Sequence, residues 1–241
     1  MTTSIGIARL PNGQKPQLIV FDLDDTLIQG NSCVHWARYL KAHGIACELK
    51  WTLIEKKMLL QYMLGKLDIH EYLRESIPSF GYMTGPERTR MVDAFVDEVM
   101  KDYVYPDALR TIEAAKAEGI PMVIVSASNT FMIVPIAKKL FGLEDVLGID
   151  LEENPDGSLT GEIVGVPTFQ EGKWIRLEAY LKAHQIPAEN VVFYTDSRND
   201  LPLAREVGLT VAVNPDDTLR EEALAHHWPI KTWALKGKSP D

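Results

Sequence analysis

Short apolar runs alternate with segments of helical periodicity along most of the chain. Four of the runs are nearly continuous, which is the pattern of strands buried on both faces of a parallel sheet. These runs are residues 17–22, 121–126, 191–194 and 210–213. The helical patterns are residues 107–118, 131–140, 171–184 and 200–207, and a predicted hairpin joins residues 146–151 to 159–164. The alternation predicts an α/β fold with a Rossmann-like, doubly wound parallel sheet.

Residues 31–103 have a different pattern, because helical periodicity prevails there and strand patterns are missing. Glycine and proline breaks divide this stretch into about four helices. Asp68 and Thr84 have side chains typical of helix N-caps, and Glu71, three residues after Asp68, indicates a capping box. We therefore predict an α-helical bundle inserted as a cap domain at residues 31–103. Residues 1–30 and 104–241 would form the core domain.

The second predicted helix of the insert carries a broad apolar face at residues 59–60 and 62–64. We expect this face to pack inside the cap, with a contact between two copies of the chain as the alternative. The sequence therefore leaves a monomer and a homodimer open.

Composition adds little about the fold but excludes some functions. Of the 241 residues, 46% are hydrophobic and 24% are charged, and the formal net charge is −9. A negative charge argues against nucleic-acid binding, which needs a basic surface. The N-terminal residues lack the basic and apolar regions of a signal peptide, and polar residues and prolines interrupt the longest charge-free run. Taking Cys33 and Cys47 as free thiols, we expect a cytoplasmic protein without a membrane segment.

Polar residues follow three predicted strands at their carboxyl ends. Asp22 and Asp24 come after the first strand, Ser126 ends the second, and Asp196 and Asp200 follow the third. Because doubly wound sheets bind ligands at this edge, we expect these side chains to meet. Carboxylates crowded at a strand end repel one another, and a divalent cation such as Mg²⁺, which prefers oxygen ligands, would relieve the repulsion. The sequence therefore predicts a metal-assisted site.

Each of these residues can be given a chemical role. Asp22 can act as a nucleophile that forms a covalent intermediate, and Asp24 can exchange a proton with the leaving group and with water. Asp196 can complete the metal site, while Ser126 and Lys173 can bind and neutralise a phosphoryl group. Taken singly, each residue can also be a turn, cap or surface residue. Their order and their shared edge favour the functional interpretation.

Together these residues resemble the four motifs of the haloacid dehalogenase superfamily. The motifs are residues 22–26 (Asp-Leu-Asp-Asp-Thr), the strand that ends at Ser126, Lys173, and residues 196–200 (Asp-Ser-Arg-Asn-Asp). The insert resembles the helical cap of the phosphoserine-phosphatase-like branch, subfamily IB. The resemblance extends over residues 17–215.

The resemblance implies roles for the individual residues. Asp22 would form an aspartyl-phosphate, and Asp24 would be the general acid and base. The residues that would bind phosphate or substrate are Ser126, Ala127, Lys173 and Asn199. Mg²⁺ would be held by Asp22, the main-chain carbonyl of Asp24, and Asp196, and Asp200 is counted with the metal site because it would orient Lys173 or a metal-bound water. Thr26 would brace the loop, and Asp25 would be a bystander.

The chain also departs from the branch that it resembles. Asn31 stands where phosphoserine phosphatases have a glutamate for the substrate amine, and residues 127–129 (Ala-Ser-Asn) and Ser197 replace expected glycines. These changes leave the phosphoryl chemistry intact but argue against phosphoserine as the substrate, with histidinol phosphate as one alternative. In the cap, Arg74 is the cation that we expect to contact the substrate, a solvated helix face being the alternative.

We predict a Mg²⁺-dependent phosphatase that hydrolyses a small phosphorylated metabolite through an aspartyl-phosphate. The carboxyl group of Asp24 favours phosphoryl transfer over dehalogenation, because a halide leaving group needs no proton. A phosphotransferase, in which an acceptor alcohol replaces water, is one alternative, and the product that carries the phosphate would distinguish the two. A catalytically idle binding protein is another, although such a protein has no need to keep mutually repelling charges. Residues 226–228 (His-His-Trp) resemble half a metal site and receive no role.

Overall fold

The computed structural model describes residues 7–45 and 48–235 and is built around one sheet. The strands are β1 (Leu18–Phe21), β2 (Met122–Asn129), β3 (Val146–Glu153), β4 (Leu159–Val164), β5 (Val191–Thr195), β6 (Leu209–Val213) and β7 (Ile230–Lys231). Within the described residues they form a seven-stranded sheet of order β4-β3-β2-β1-β5-β6-β7. Neighbouring strands are parallel except β3 and β4, which form the predicted antiparallel hairpin. The predicted doubly wound sheet is confirmed.

Helices surround this sheet and also form the insert between β1 and β2. The helices of the insert are α1 (Ser32–Ala42), α2 (Glu48–Met63), α3 (Ile69–Ser76) and α4 (Gly85–Glu98). The others are α5 (Pro106–Ala117), α6 (Thr130–Ile136), α7 (Glu171–His184), α8 (Leu201–Ala204) and α9 (Asp217–Ala225). The predicted helical cap is confirmed as an element of the fold, while its domain boundaries stay a prediction. In the described ranges, every helix is too short or too polar to cross a membrane.

The central strand β1 shows why its sequence forms a doubly covered strand. Leu18 and Val20 pack on one face of the sheet in the core cluster that contains Leu177 of α7. Ile19 and Phe21 pack on the opposite face in the larger core cluster. Alternate residues of a strand point to opposite faces, so four consecutive apolar residues bury both faces of the sheet.

The starts of α3 and α4 are fixed by their own sequences. The carboxylate of Asp68 accepts hydrogen bonds from backbone N–H groups in the first turn of α3, which confirms the predicted N-cap. The carboxylate of Glu71 pairs with Lys57 at 2.9 Å. A reciprocal bond is instead found in α4, where Glu87 accepts from the backbone N–H of Thr84 at 2.9 Å.

The apolar face of α2 differs from the prediction. Ile54 and Met58, one helical turn apart, take the inward positions, whereas Leu60 and Met63 are 60% and 65% exposed. The expectation that this face packs inside the cap is therefore wrong. Four of the five residues of this face are exposed, Tyr62 is half-buried, and the oligomeric state stays a prediction.

The observed boundaries of helices and strands differ most from the predicted boundaries after β2 and near the C-terminus. Strand β2 continues past Ser126 to Asn129, with a shift of register against β3. The helix predicted to run to residue 140 changes at Ala137 into a five-residue π-helical turn, two residues after Pro135, which cannot donate a helical hydrogen bond. One more strand follows residues 210–213, because α9 leads to β7. Strand β7 has only two residues and leaves no apolar run to predict.

Candidate active site

The first strand ends in a tight loop that carries the two central aspartates. Asp22 follows β1 directly, and its backbone N–H donates to the carbonyl of Tyr194 in β5 at 2.9 Å. Its side chain is buried. The loop then folds back, because the N–H of Leu27 donates to the carbonyl of Leu23 at 2.8 Å. Sheet pairing therefore fixes Asp22, and the loop fixes the position of Asp24.

Lys173 reaches Asp22 from the first turn of α7. Its buried Nζ lies 2.7 Å from Oδ1 of Asp22 and 2.7 Å from Oδ1 of Asp200. The carboxylate of Asp200 also accepts a hydrogen bond from the hydroxyl of Thr195 at 2.7 Å. Burial lowers the pKa of Lys173, but Asp200 and Asp22 more than offset it and keep the pKa above its usual value. These two ion pairs explain how a lysine is held against the helix dipole.

Three carboxylates crowd around this single cation. Asp196 follows β5 and accepts a hydrogen bond from the hydroxyl of Thr26 at 3.2 Å. Removal from water raises the pKa of Asp22 to about 7, although Lys173 opposes the shift. Removal from water and the nearby Asp22 raise the pKa of Asp196 well above its usual value. Asp22, Asp196 and Asp200 therefore leave an excess of negative charge at the edge of the sheet.

This donor set fits a divalent cation with oxygen ligands. Within the described residues, no three acidic, histidine or cysteine side chains converge in the geometry of a metal site. Asp22 and Asp196 would therefore supply two carboxylate ligands. Main-chain and water oxygens would supply the remaining ligands, as is usual for Mg²⁺. The excess negative charge is the physical reason for a cation to bind here.

Asp24 is held by hydrogen bonds from the cap and from β2. Its Oδ1 accepts from the backbone N–H of Ser32 in α1 at 2.7 Å, and its Oδ2 accepts from the hydroxyl of Ser128 at 2.9 Å. Removal from water raises the pKa of Asp24 to about 6, while these hydrogen bonds oppose the shift. A carboxyl group with a pKa near ambient pH can both give and accept a proton. The arrangement suits proton transfer close to Asp22.

The end of β2 places polar groups close to Asp22. Ser126 is buried, and its Oγ accepts from the backbone N–H of Ser128 at 3.1 Å. The hydroxyl of Ser128 lies 2.8 Å from that of Ser32 in α1. Ala127 and Ser128 line a small cavity beside Asp22. Strand β2 therefore contributes to the site and also contacts the first cap helix.

Two cavities meet at Asp24, Asn31 and Tyr62, which line both. The larger has a volume of about 410 Å³ and lies between α2 and the loops after β5 and β6. The other side chains that line the smaller cavity include Cys33, Met58, Leu67, Ile69, Tyr72 and Phe169. Those of the larger cavity include Leu59, Met63, Asp25, Arg198, Asp216 and Asp217. A leaving group bound near Asp24 would therefore meet aromatic and aliphatic groups on one side and mostly acidic groups on the other.

The residues that form this geometry match a known protein family. The model of the family described as "haloacid dehalogenase-like hydrolase" matches residues 19–205, which include every residue of the carboxyl edge described above. The chain belongs to the haloacid dehalogenase-like hydrolases. The family membership predicted from the four motifs is confirmed.

Individual relatives indicate which class of ester this hydrolase cleaves. A protein from Neisseria meningitidis serogroup C (strain 8013) named "Histidinol-phosphatase" is 32% identical over 216 residues, which are 88% of this chain and 97% of the relative. The crystal structure of a Bordetella pertussis Tohama I protein of unknown function is similar, with a TM-score of 0.81 and 29% identity over 90% of this chain and 99% of that one. A phospho-aspartyl intermediate analogue of phosphoserine phosphatase has a TM-score of 0.67 and 25% identity over 91% and 94% of the two chains. The chain is a phosphatase of this family, whose members generally use Mg²⁺.

Most of the residues expected at the site are brought together in this hydrolase. They are Asp22, Asp24, Ser126, Ala127, Lys173, Asp196 and Asp200. Asp200 contacts Lys173 and Thr195, which fits the orienting role expected of it. The catalytic and metal-binding roles of these residues stay predictions.

Two expected substrate contacts, Arg74 and Asn199, form bonds to protein groups. Arg74 is 61% exposed and forms an ion pair with Glu162 of β4, with Nε and Oε1 3.1 Å apart, so it lines neither cavity. The solvated helix face, the alternative considered for Arg74, describes its position. Asn199 does line the larger cavity, but its amide Nδ2 donates to the main-chain carbonyl of Tyr62 in the cap at 3.2 Å.

Three residues near the site had no predicted role. Ser128 was noticeable only because it replaces an expected glycine, and the structure places it on Asp24. Tyr62 was grouped with the apolar face of α2, although its ring lines both cavities. Gln170 gave no signal, because nothing in a glutamine three residues before Lys173 indicates its unusual backbone conformation.

Proposed function

We propose that the chain is a Mg²⁺-dependent phosphatase that hydrolyses a small phosphomonoester whose alcohol part carries no carboxylate. The observation that carries this proposal is the contact of Lys173 with Asp22 at 2.7 Å, next to a second carboxyl group, Asp24, whose pKa is about 6. The first group is oriented for attack on phosphorus, and the second for proton exchange.

The reaction divides into two displacements at phosphorus. A carboxylate oxygen of Asp22 forms a bond to phosphorus as the bond to the alcohol oxygen breaks, and Asp24 gives its proton to that oxygen. The carboxylate of Asp24 then takes a proton from water, whose oxygen attacks phosphorus and releases Asp22 and inorganic phosphate. Lys173 and Ser126 would bind the phosphoryl oxygens in both steps.

The cation is proposed to be held by the carboxylates of Asp22 and Asp196 and by the main-chain carbonyl of Asp24. When bound, Mg²⁺ would neutralise negative charge on the phosphoryl oxygens. Asp200, which contacts Lys173, would act by holding that lysine in place.

Removing divalent cations should stop turnover and lower the melting temperature. With the cation gone, Asp22 and Asp196 repel each other and take up protons, so Asp22 is no longer a competent nucleophile. Phosphate release and thermal unfolding would be followed after treatment with a chelator and after Mg²⁺ is added back. Turnover that is indifferent to the chelator would remove the metal from the proposal.

The restriction on the alcohol part comes from the charges of the two cavities. Within the described residues, no lysine, arginine or histidine lines the smaller cavity. Arg198 is the one cation of the larger cavity in that part of the chain, and it shares the cavity with Asp25, Asp216 and Asp217. A carboxylate would therefore meet like charges, which cost several kcal/mol when juxtaposed. An amine or a neutral ring would not.

These charges favour one of the two substrates suggested by the relatives. Histidinol phosphate has an amine and a ring but no carboxylate, and its ring would suit a cavity lined by Tyr62, Tyr72 and Phe169. Phosphoserine carries a carboxylate for which the site offers no unopposed cation among the described residues. We therefore propose histidinol phosphate, or a phosphoester of similar chemistry, ahead of phosphoserine.

A short series of phosphate esters should separate the effect of the substrate carboxylate from the effect of the substrate ring. O-phosphoethanolamine is phosphoserine without its carboxylate, and we expect its kcat/KM to exceed that of phosphoserine by at least about 10-fold. Histidinol phosphate should be hydrolysed better than either, because it adds the ring. Phosphate release with Mg²⁺ would be measured for all three, and phosphoserine as the best substrate would contradict the proposed restriction.

A further inference from the structure

The C-terminal end of α2 is bound by two side-chain amides of the core. The carbonyl of Tyr62, in the last turn of α2, accepts from the backbone N–H of Gly65, two residues past the helix, at 2.9 Å, and its second lone pair can accept another donor. Asn199 Nδ2 donates to the carbonyl of Tyr62 at 3.2 Å, and Gln170 Nε2 donates to the carbonyl of Gly65 at 3.2 Å. We propose that Gln170 and Asn199, here called the amide clasp, are positioning residues that hold the cap on the catalytic loops during turnover.

The backbone of Gln170 is strained in a way that serves the clasp and not its own helix. Its φ and ψ are 49° and −123°, the conformation of the first central residue of a type II′ turn, where glycine predominates. The turn is closed by the N–H of Gly172, which donates to the carbonyl of Phe169 at 3.0 Å. Although Gln170 is the N-cap residue of α7, its side chain makes no capping bond. The strain therefore directs the amide across to the cap.

The turn is also packed too closely to relax freely. A Cβ on Gly172 would lie 1.9 Å from the main-chain oxygen of Pro167, so the start of α7 is pressed against the preceding loop. Lys173 follows immediately, and its N–H donates to the carbonyl of Gln170 at 3.0 Å. A contact made by Gln170 therefore bears on the position of the catalytic lysine.

The second member of the clasp is tied to the acidic residues. Asn199 is buried between Ser197 and Asp200, and Gln170 Nε2 lies 3.4 Å from its Oδ1. Its Nδ2 also lies 3.2 Å from the hydroxyl of Ser197, which follows Asp196 directly. The clasp thus joins the loop that carries Lys173, the loop that carries the acidic residues, and the end of α2.

The clasp also determines where Tyr62 lies. The carbonyl of Tyr62 is a clasp contact, and the Tyr62 ring lies 6.1 Å from that of Phe169. The ring stands between the two cavities. Without the clasp, the end of α2 would leave the core and the small cavity beside Asp22 would open to water, so the productive geometry would be populated for less of the time.

Two substitutions at Gln170 separate the role of the amide from the role of the backbone. Gln170→Gly and Gln170→Ala both remove the amide, but only glycine relieves the strain, so the glycine variant should have the higher melting temperature. Both variants should lose about 5- to 10-fold in kcat/KM for p-nitrophenyl phosphate, the effect of one hydrogen bond. Activity would then follow the amide while stability follows the backbone.

Alkylation of Cys33 reports on the cap without relying on turnover. Its Sγ lies 3.4 Å from the hydroxyl of Ser128 between cap and core, and burial raises the pKa of the thiol to about 12. In a Cys47→Ser background, iodoacetamide should modify Cys33 about 5- to 10-fold faster in both Gln170 variants and in Asn199→Ala. This measurement stays informative even if the proposed phosphatase reaction with Mg²⁺ fails.

Gln185 provides the matched control. It ends the same helix, α7, also with a positive φ (56°), and its side chain is exposed. Gln185→Gly should raise the melting temperature and leave kcat/KM and the alkylation of Cys33 unchanged. The proposal is overturned if the Gln170 variants alkylate Cys33 at the rate of the unchanged protein, or if their activity follows their melting temperatures.

Discussion

Replacing Asp22 by asparagine is expected to lower kcat for every phosphomonoester by on the order of 10⁴-fold or more, because an amide cannot form the acyl-phosphate. The variant should fold normally. Asparagine keeps an oxygen for the hydrogen bond from Lys173, and the change removes one of three crowded carboxylates. Its melting temperature should therefore equal or exceed that of the unchanged protein.

The measurement combines steady-state phosphate release with acid-quenched detection of a phosphorylated protein. Asp25→Asn is the matched control, since Asp25 lies in the same acidic run but accepts a hydrogen bond from the backbone N–H of Gly30. Asparagine can keep that bond and tolerates the positive φ of 54° at this position. Activity retained by Asp22→Asn, or lost equally by Asp25→Asn, would refute the assignment of the nucleophile.

The residues of the carboxyl edge could be predicted because their order in the sequence reflects the topology of the sheet. An acidic pair after β1 and another after β5 must lie at one edge once the apolar runs are recognised as parallel strands. Lys173 follows from the same logic only after the four motifs are compared with a family. The same comparison implies the contact of Asp200 with Lys173, but the direct ion pair of Lys173 with Asp22 depends on side-chain directions in separate loops and could not be predicted.

The cap shows where this kind of reasoning fails. Its four helices follow from periodicity, but the contacts of each helix depend on how the insert is rotated over the core. Arg74 was chosen for its charge, and the rotation places it on Glu162. The apolar residues of α2 were assigned inward for their hydrophobicity, although Ile54 and Met58 already fill the inward positions.

The contacts between cap and core are the features that are hardest to predict from the sequence. The bond from Asn199 ends on a main-chain carbonyl of Tyr62, which every residue type possesses. The positive φ of Gln170 is a conformation that sequence rules assign to glycine. Backbone acceptors and strained non-glycine residues become visible only in a structure, and here the strained Gln170 at the start of α7 bonds to a backbone acceptor just past the end of α2.

Replacing Lys173 by methionine should reduce both catalysis and stability. Methionine has a similar length but no charge, so the phosphoryl group would lose a cation, and we expect kcat to fall about 10²- to 10³-fold. The carboxylates of Asp22 and Asp200 would be left buried without their ion-pair partner, which costs about 3–5 kcal/mol of unfolding free energy. Denaturant unfolding and phosphate release would measure the two effects.

The control is Lys182→Met on the same helix. Lys182 is 70% exposed and pairs with Glu178 one turn away at 2.8 Å, a surface ion pair worth about 0–1 kcal/mol. This variant should differ little from the unchanged protein in either measurement. Equal losses in the two variants would show that the effect belongs to α7 as a whole and not to the contacts of Lys173.

Added Mg²⁺ can separate a loss of charge from a loss of packing in Lys173→Met. If the cost comes from carboxylates without a counter-charge, a divalent cation at Asp22 and Asp196 compensates part of it, so Mg²⁺ should raise the melting temperature of Lys173→Met more than that of the unchanged protein. If the cost came from the shape of the methionine side chain, Mg²⁺ would stabilise both proteins equally. An equal shift would therefore contradict the view that Lys173 and a metal ion balance the same excess of negative charge.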